Sequence, residues 1–72
     1  MTYELWHVPS ANLMCEFDSL SGALDAAREV LETQGERAAV EIALLEHLRG
    51  RTKTVADGQR LVSMILERAP QR

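Results

Sequence analysis

Cysteine and long apolar runs are scarce in this chain. The one cysteine, Cys15, excludes an internal disulfide and suits a reducing compartment, because small secreted domains usually carry several paired cysteines. No apolar stretch reaches the ~20 residues that a membrane-spanning helix needs. Glu4 places a carboxylate where a secretory signal would carry cations. We therefore expect a soluble cytoplasmic protein that makes no contact with membranes.

Positive charge is in the minority. Eight Lys and Arg residues stand against eleven Asp and Glu residues, and the formal net charge is −3. This balance argues against general binding to nucleic acid or anionic membranes, which depends on clustered cations. With 72 residues the chain forms one small domain, 1–72. Because so short a chain buries only a small core, we expect self-association, most simply a homo-oligomer, to stabilise it.

Two alternating segments near the start predict a hairpin. Residues 3–8 are rich in aromatic and β-branched types, residues 13–18 alternate apolar with polar, and residues 9–12 have the composition of a turn. One register buries no carboxylate. It pairs Tyr3 with Phe17, Leu5 with Cys15, His7 with Leu13 and Val8 with Asn12. It assigns Tyr3, Leu5, Leu13, Cys15 and Phe17 to the core face and Glu4, Trp6, Val8, Met14 and Glu16 to the opposite face.

A helix is predicted over residues 19–34. Asp18 or Ser19 can cap its first amides, Gly35 is a suitable residue for its end, and apolar residues recur at helical spacing between them.

Residues 37–48 are ambiguous. Their helix propensity is strong, yet Val40, Ile42 and Leu44 also alternate with more polar neighbours. A strand pair turning near Gly50 explains both this segment and the strand-like residues 52–55, whereas a helix ending at Gly50 explains only the first. We expect strands here, followed by a last helix over 59–69 that Asp57 caps and Pro70 ends.

These elements make a unit of two strands and a helix that is used twice, over residues 3–34 and 37–69. The expected architecture is α+β, in the order ββαββα, with a four-stranded antiparallel sheet and two helices on one of its faces. The short connections agree with a compact domain.

The opening Tyr3-Glu4-Leu5-Trp6, the Asn12-Leu13 step and the Phe17-Asp18 entry to the helix resemble a group of small bacterial proteins that open with Tyr-Glu-Leu-Trp. The resemblance covers most of the chain, but the matching residues are parts of the scaffold. It implies a bacterial protein and a second pair of strands, and it implies no reaction or ligand. The group usually has Gly at the position of Ala11 and Asp at the position of His7.

Residues with catalytic or metal-binding chemistry are few. His7, Cys15 and His47 lack the paired close spacing of a structural zinc site, and the predicted register buries the Cys15 thiol, which disfavours its thiolate. Glu4 and Glu16 oppose each other on a solvated face, where they repel rather than share a proton. The glycines form no phosphate-binding loop. We expect no catalytic residue, no metal and no cofactor.

Three cations cluster around one predicted turn. Arg49, Arg51 and Lys53 could contact a phosphate backbone, with Arg37 nearby. Single-strand binders usually add exposed aromatic rings, which this chain has little means to supply. A nucleic-acid-binding accessory protein is therefore the alternative hypothesis, and a solvated turn is the simpler interpretation.

The main functional candidate is the sheet face away from the helices. Trp6, Val8 and Met14 fall together there, bordered by Glu4 and Glu16, and Leu45 could extend the group. Trp and Met are enriched in protein contacts, and an apolar patch with a polar rim is typical of an interaction site. The competing interpretation makes Trp6 a core residue. We expect a small non-enzymatic interaction module that binds a protein partner or itself.

Overall fold

Four strands and three helices make up residues 1–67, the part of the chain that this computed structural model describes. In chain order they are β1 (Thr2–His7), β2 (Asn12–Phe17), α1 (Leu20–Gln34), α2 (Glu36–Ala39), β3 (Ile42–Leu48), β4 (Arg51–Asp57) and α3 (Gly58–Glu67). The ββαββα order and the α+β class are as predicted, with the four-residue α2 as an addition.

The strands form one antiparallel sheet in the order β2-β1-β3-β4. The first strand of each ββα unit therefore lies in the centre, and the second strand of each unit lies at an edge. In the central pair, Leu5 is opposite Leu44 and Glu4 is opposite Leu45. The two units are thus joined through backbone hydrogen bonds between their first strands.

The hydrophobic core lies between one face of this sheet and the two long helices. Leu5, Ile42, Leu44 and Ala56 project from the strands onto Ala23, Leu24 and Ala27 of α1 and Leu61 and Ile65 of α3. Leu44 and Leu61 are completely buried. Because side chains alternate across a strand, the residues between these core positions face the other side of the sheet.

The β3–β4 connection is a tight two-residue turn at Arg49 and Gly50, as the sequence predicts. Both residues have positive φ, 52° and 79°, which is the requirement of the type I′ turn that matches the twist of a hairpin. The β1–β2 turn is longer and ends at Ala11, which also has positive φ, 56°. The Ala11 N–H donates to the Val8 carbonyl over 3.1 Å.

The ends of α1 follow the sequence prediction. The Ser19 hydroxyl oxygen accepts the Gly22 N–H at 3.0 Å, which satisfies one of the free amides of the first turn. At the other end Gly35 has φ 90° and its N–H donates to the Leu31 carbonyl at 3.0 Å. A left-handed glycine at this position ends the helix without a steric penalty.

The prediction of a strand from Arg37 onward is wrong for its first residues. Residues 36–39 form α2, and β3 begins only at Ile42. Ala38 and Ala39 are strong helix formers, and Ala39 is buried in the folded chain. Asp57 is the last residue of β4 and directly precedes α3, which begins at Gly58, so it occupies the position predicted for the cap; the capping bond itself stays a prediction. The predicted end of the last helix, at 69–70, lies outside the described residues.

Each outer strand contains a β-bulge. In β2 the pairing shifts between Leu5–Cys15 and Trp6–Leu13, so Met14 is the extra residue. In β4 it shifts between Leu44–Ala56 and Leu45–Thr54, so Val55 is the extra residue. A bulge bends its strand and increases the local twist.

Because of the bulge in β2, the predicted hairpin register is wrong beyond Cys15. The pairs Tyr3–Phe17 and Leu5–Cys15 are confirmed, but His7 opposes Asn12 rather than Leu13. Leu13 consequently leaves the predicted core face and stands opposite Trp6, where it is 45% exposed.

Cys15 is also exposed rather than buried. Because β2 is an edge strand, the helix layer does not cover the thiol, although Cys15 lies opposite the buried Leu5.

Candidate interaction surface

One face of the sheet lies opposite the hydrophobic core, and we call it the open face. The strand register places on it Thr2, Glu4, Trp6, Leu13, Glu16, Ala43, Leu45, His47, Thr52, Thr54 and Asp57, with Met14 of the bulge beside them. Trp6 therefore does not belong to the core cluster, which is formed by the alternate residues of the same strands. A two-layer fold with helices on one side leaves such a face to solvent or to a partner.

Trp6 occupies the middle of the open face. It stands between Leu13 on β2 and Ala43 on β3, and Leu45 lies one row away. Ala43 is only 7% exposed although the core lies on the other side of the sheet, so neighbouring side chains on the open face cover it, and the indole is the largest of them. The centre of this face is consequently apolar and continuous.

A hydrogen bond holds the indole in place. The Trp6 Nε1–H donates to Glu4 Oε1 over 2.9 Å, and the two residues lie two positions apart on the same face of β1. The bond satisfies the polar atom of the ring and restricts its rotation, while leaving the ring half-buried rather than enclosed. An aromatic side chain that is already ordered loses little entropy when a partner covers it.

Leu13 and Met14 extend the apolar area toward the edge of the sheet. They are 45% and 41% exposed, among the most exposed large apolar side chains of the strands. The bulge is responsible for this arrangement, because it brings Leu13 opposite Trp6 and inserts Met14 next to it. The sequence pattern predicts Met14 as a neighbour of Trp6, which stays a prediction, and it missed Leu13, since strict alternation assigns Leu13 to the other face.

Val8 does not lie on a strand. It belongs to the turn after β1, where its N–H donates to the Glu41 carbonyl at 2.9 Å. Its side chain lines a cavity of about 440 Å³ at the end of the sheet, together with Pro9, Val40 and the start of α3. The strand ends at His7, so Val8 lies in the turn beyond the strand that carries Trp6, and its place on the open face stays a prediction.

The charges of the open face are all of one sign. Glu4 and Glu16 are directly opposite each other on neighbouring strands, and Asp57 is opposite Ala43. Within residues 1–67, no Lys or Arg lies on this face: Arg51 and Lys53 of β4 pair with Leu48 and Glu46 in the rows that face the helix side. The polar neighbours of the apolar centre are thus acidic or neutral.

The remaining polar residue of note on the open face is His47. Its Nδ1 lies 3.0 Å from the Thr52 hydroxyl on the adjacent strand. His7 and Cys15 lie on the other side of the sheet, and in the described part of the chain no three His, Cys, Asp or Glu side chains are arranged to hold a metal ion.

His7 belongs to a network of side-chain hydrogen bonds that the sequence did not reveal. Its Nδ1 lies 2.7 Å from the Ser10 hydroxyl and its Nε2 lies 3.3 Å from Glu41 Oε1, while the Asn12 amide donates to Ser10 over 3.0 Å. The order Ser–His–Glu is that of a hydrolase, but Ser10 does not line the adjacent cavity and its contacts are exposed. We interpret these hydrogen bonds as structural, because they hold the β1–β2 turn against the segment before β3.

Three of the four predicted cations lie at or next to the β3–β4 turn, and the fourth, Arg37, does not. Arg49 occupies the β3–β4 turn, Arg51 and Lys53 follow on β4, and all three are exposed. Lys53 is opposite Glu46, whose carboxylate also accepts the Tyr3 hydroxyl at 3.4 Å. Arg37 belongs to α2, which precedes the opposite end of β3, so it does not lie near this turn. Binding of nucleic acid at this turn stays a prediction.

Tyr3 is partly buried against the hydrophobic core. Desolvation raises the pKa of its phenol above the ordinary value of 10.0, and the charge and hydrogen bond of Glu46 raise it further. The ring packs against the core cluster, and it is therefore not available as a stacking surface for a base.

Comparison with protein-family models, curated proteins and solved structures finds no match to this chain. None of the helices within residues 1–67 combines the length and the apolar character needed to cross a membrane.

Proposed function

We propose that this protein is a small non-enzymatic interaction module that binds another protein, or a second copy of itself, through the open face. The observation that supports the proposal is the ordered, half-buried indole of Trp6 at the centre of an apolar area that the core does not use. Tryptophan is enriched among the residues that contribute most to protein binding. The resemblance to the Tyr-Glu-Leu-Trp proteins stays a prediction and adds no ligand.

The edges of the sheet support contact through the face rather than through added strands. Both outer strands are bulged, at Met14 and at Val55, and β4 carries Lys53. Bulges and charged residues on edge strands hinder pairing with a further strand. A partner is therefore better accommodated on the face than at either edge.

The size of the face indicates a weak or transient contact. Four strands at about 4.8 Å spacing and about six residues at about 3.3 Å rise cover roughly 400 Å². A stable interface of standard size buries about 800 Å² on each partner. We therefore propose a reversible association rather than an obligate complex.

The exposed thiol of Cys15 is compatible with a reducing compartment, and we propose the bacterial cytoplasm as the location. A free thiol on an edge strand would be exposed to intermolecular oxidation in a secreted protein.

Site-specific photo-cross-linking tests the proposal. A benzoylphenylalanine placed at Leu13, on the open face, is compared with one at Leu66, which is even more exposed but lies on α3. In cells that naturally produce the protein we expect a covalent dimer or an adduct to another protein from Leu13 and none from Leu66. Adding Trp6→Ala to the Leu13 probe should abolish the adduct while circular dichroism stays unchanged. Equal adducts from the two positions, or none, would refute the proposal.

A further inference from the structure

The charge distribution on the two sides of the sheet identifies the kind of partner that suits the open face. The open face carries Glu4, Glu16 and Asp57 and, within residues 1–67, no Lys or Arg. The cations of the described chain lie elsewhere: Arg28, Arg37 and Arg60 on helices, Arg49 in a turn, and Arg51 and Lys53 on the helix side of β4. Among residues 1–67, the charged side chains that flank the apolar area are therefore all acidic.

Glu4 and Glu16 are a like-charged pair in a position that destabilises a sheet. They stand directly opposite each other on β1 and β2, where Cβ atoms are about 5 Å apart. Neither forms an ion pair with a cation of residues 1–67. Glu4 uses one oxygen for the indole, and its second oxygen and the carboxylate of Glu16 point to the same face.

We propose that the open face binds a positively charged protein segment, with Lys or Arg contacting Glu4 and Glu16 and an apolar side chain covering Trp6 and Leu13. This inference rests on the proposed function and specifies its partner. A cation placed between the two carboxylates removes their repulsion and forms charge-assisted hydrogen bonds. Complementary charge also raises the rate of encounter.

The same charges disfavour a second copy of the chain on this face. A symmetric dimer buries the same acidic patch twice, and the open face as described for residues 1–67 offers no Lys or Arg to pair with the carboxylates of the other protomer. Like charges brought together in an interface reduce affinity and act against that partner. Self-association through this face is therefore not proposed, and the experiments below distinguish it from binding of a cationic partner.

Two designed peptides test the inference. One is an amphipathic helix made of Lys and Leu, and the other has the same pattern made of Glu and Leu. Because Trp6 is the only tryptophan, its fluorescence reports binding to this face directly. We expect the Lys–Leu peptide to shift the emission to shorter wavelength and protect the ring from acrylamide. Its affinity should fall between low salt and about 0.3 M salt, where the screening length shrinks below ~8 Å. The Glu–Leu peptide should have no effect.

The carboxylates are tested by Glu4→Gln with Glu16→Gln, which keeps an acceptor for the indole N–H. We expect the double variant to bind the Lys–Leu peptide about tenfold more weakly. The matched control, Glu29→Gln with Glu67→Gln, makes the same change of net charge at exposed helix positions and should bind like the parent chain.

Leu13→Ser separates this inference from the proposed function. Binding lost with Leu13→Ser and unaffected by the two glutamine substitutions would overturn the cationic partner but leave the face as the binding surface. An absent response to the Lys–Leu peptide, together with Leu13-dependent dimerisation in sedimentation, would likewise overturn it in favour of a second copy. Absence of peptide binding, dimerisation and cross-linking would refute both proposals.

Discussion

Replacing Ala11 with glycine should stabilise this protein. Ala11 ends the β1–β2 turn with φ 56°, in the left-handed region. A residue with a Cβ atom pays about 1–2 kcal/mol for that conformation, whereas glycine pays almost nothing. Glycine loses more backbone entropy on folding, which offsets the gain by about 0.5–1 kcal/mol. The expected net gain in unfolding free energy is therefore about 0.5–1 kcal/mol.

Urea and thermal unfolding measure this change. For a domain of this size 1 kcal/mol corresponds to about 4–8 °C in Tm, so the expected gain for Ala11→Gly raises Tm by about 2–8 °C. Ala26→Gly is the matched control, because the same atoms are removed from the interior of α1 and the unfolding free energy should fall by about 1 kcal/mol. A loss of stability at Ala11 comparable to that at Ala26 would show that the turn does not hold Ala11 in the left-handed region.

Three further measurements test other parts of the structure. Ser19→Ala removes the acceptor of the first-turn amide of α1, and we expect a loss of about 1 kcal/mol in urea unfolding; an unchanged midpoint would contradict the cap. Leu44→Ala should cost about 2–5 kcal/mol because the side chain is completely buried, whereas Leu13→Ala, the same change at a 45% exposed position, should cost much less; equal losses would contradict the assignment of faces. Glu46→Gln should lower the raised pKa of Tyr3 in a spectrophotometric titration, because it removes a nearby negative charge. Since the folded chain holds the Tyr3 proton more tightly, this contribution to stability is complete below the ordinary pKa of 10.0 and is lost as pH rises through the folded value.

Much of the fold follows from local sequence patterns. Alternation located β1 and β2, Ser19 and Gly35 bounded α1, and Gly50 placed the second hairpin turn. Each of these is decided by a few neighbouring residues, through capping, positive φ or side-chain period.

The parts that escaped prediction depend on distant contacts. Residues 36–39 have a helical propensity, the alternation begins only at Val40, and the sequence does not fix the point at which one gives way to the other. The bulge at Met14 adds one residue to a strand and leaves no mark in the alternation, so Leu13 was assigned to the wrong face. The predicted register placed Cys15 on the core face, and this was right. The hairpin alone did not show that β2 is an edge strand, where the thiol stays exposed.

The candidate surface was predictable in its centre and not at its borders. Trp6, Glu4 and Glu16 share one face because they lie on the regular part of the first hairpin. Leu45 joins them only through the pairing of β1 with β3, which joins residues far apart in sequence. The assignment of the cations to the opposite side also depends on that pairing.

The central position of β1 and β3 determines how the molecule assembles. Each hairpin is local in sequence, but the β1–β3 pairing, in which Leu5 lies opposite Leu44, joins segments from the two halves of the chain. The buried residues of α1 and α3 belong to one hydrophobic cluster that spans this pairing, so neither half has a complete hydrophobic core alone. Unfolding should accordingly be a single all-or-none event, and a chain interrupted near Gly35 should regain structure only when its two pieces meet again.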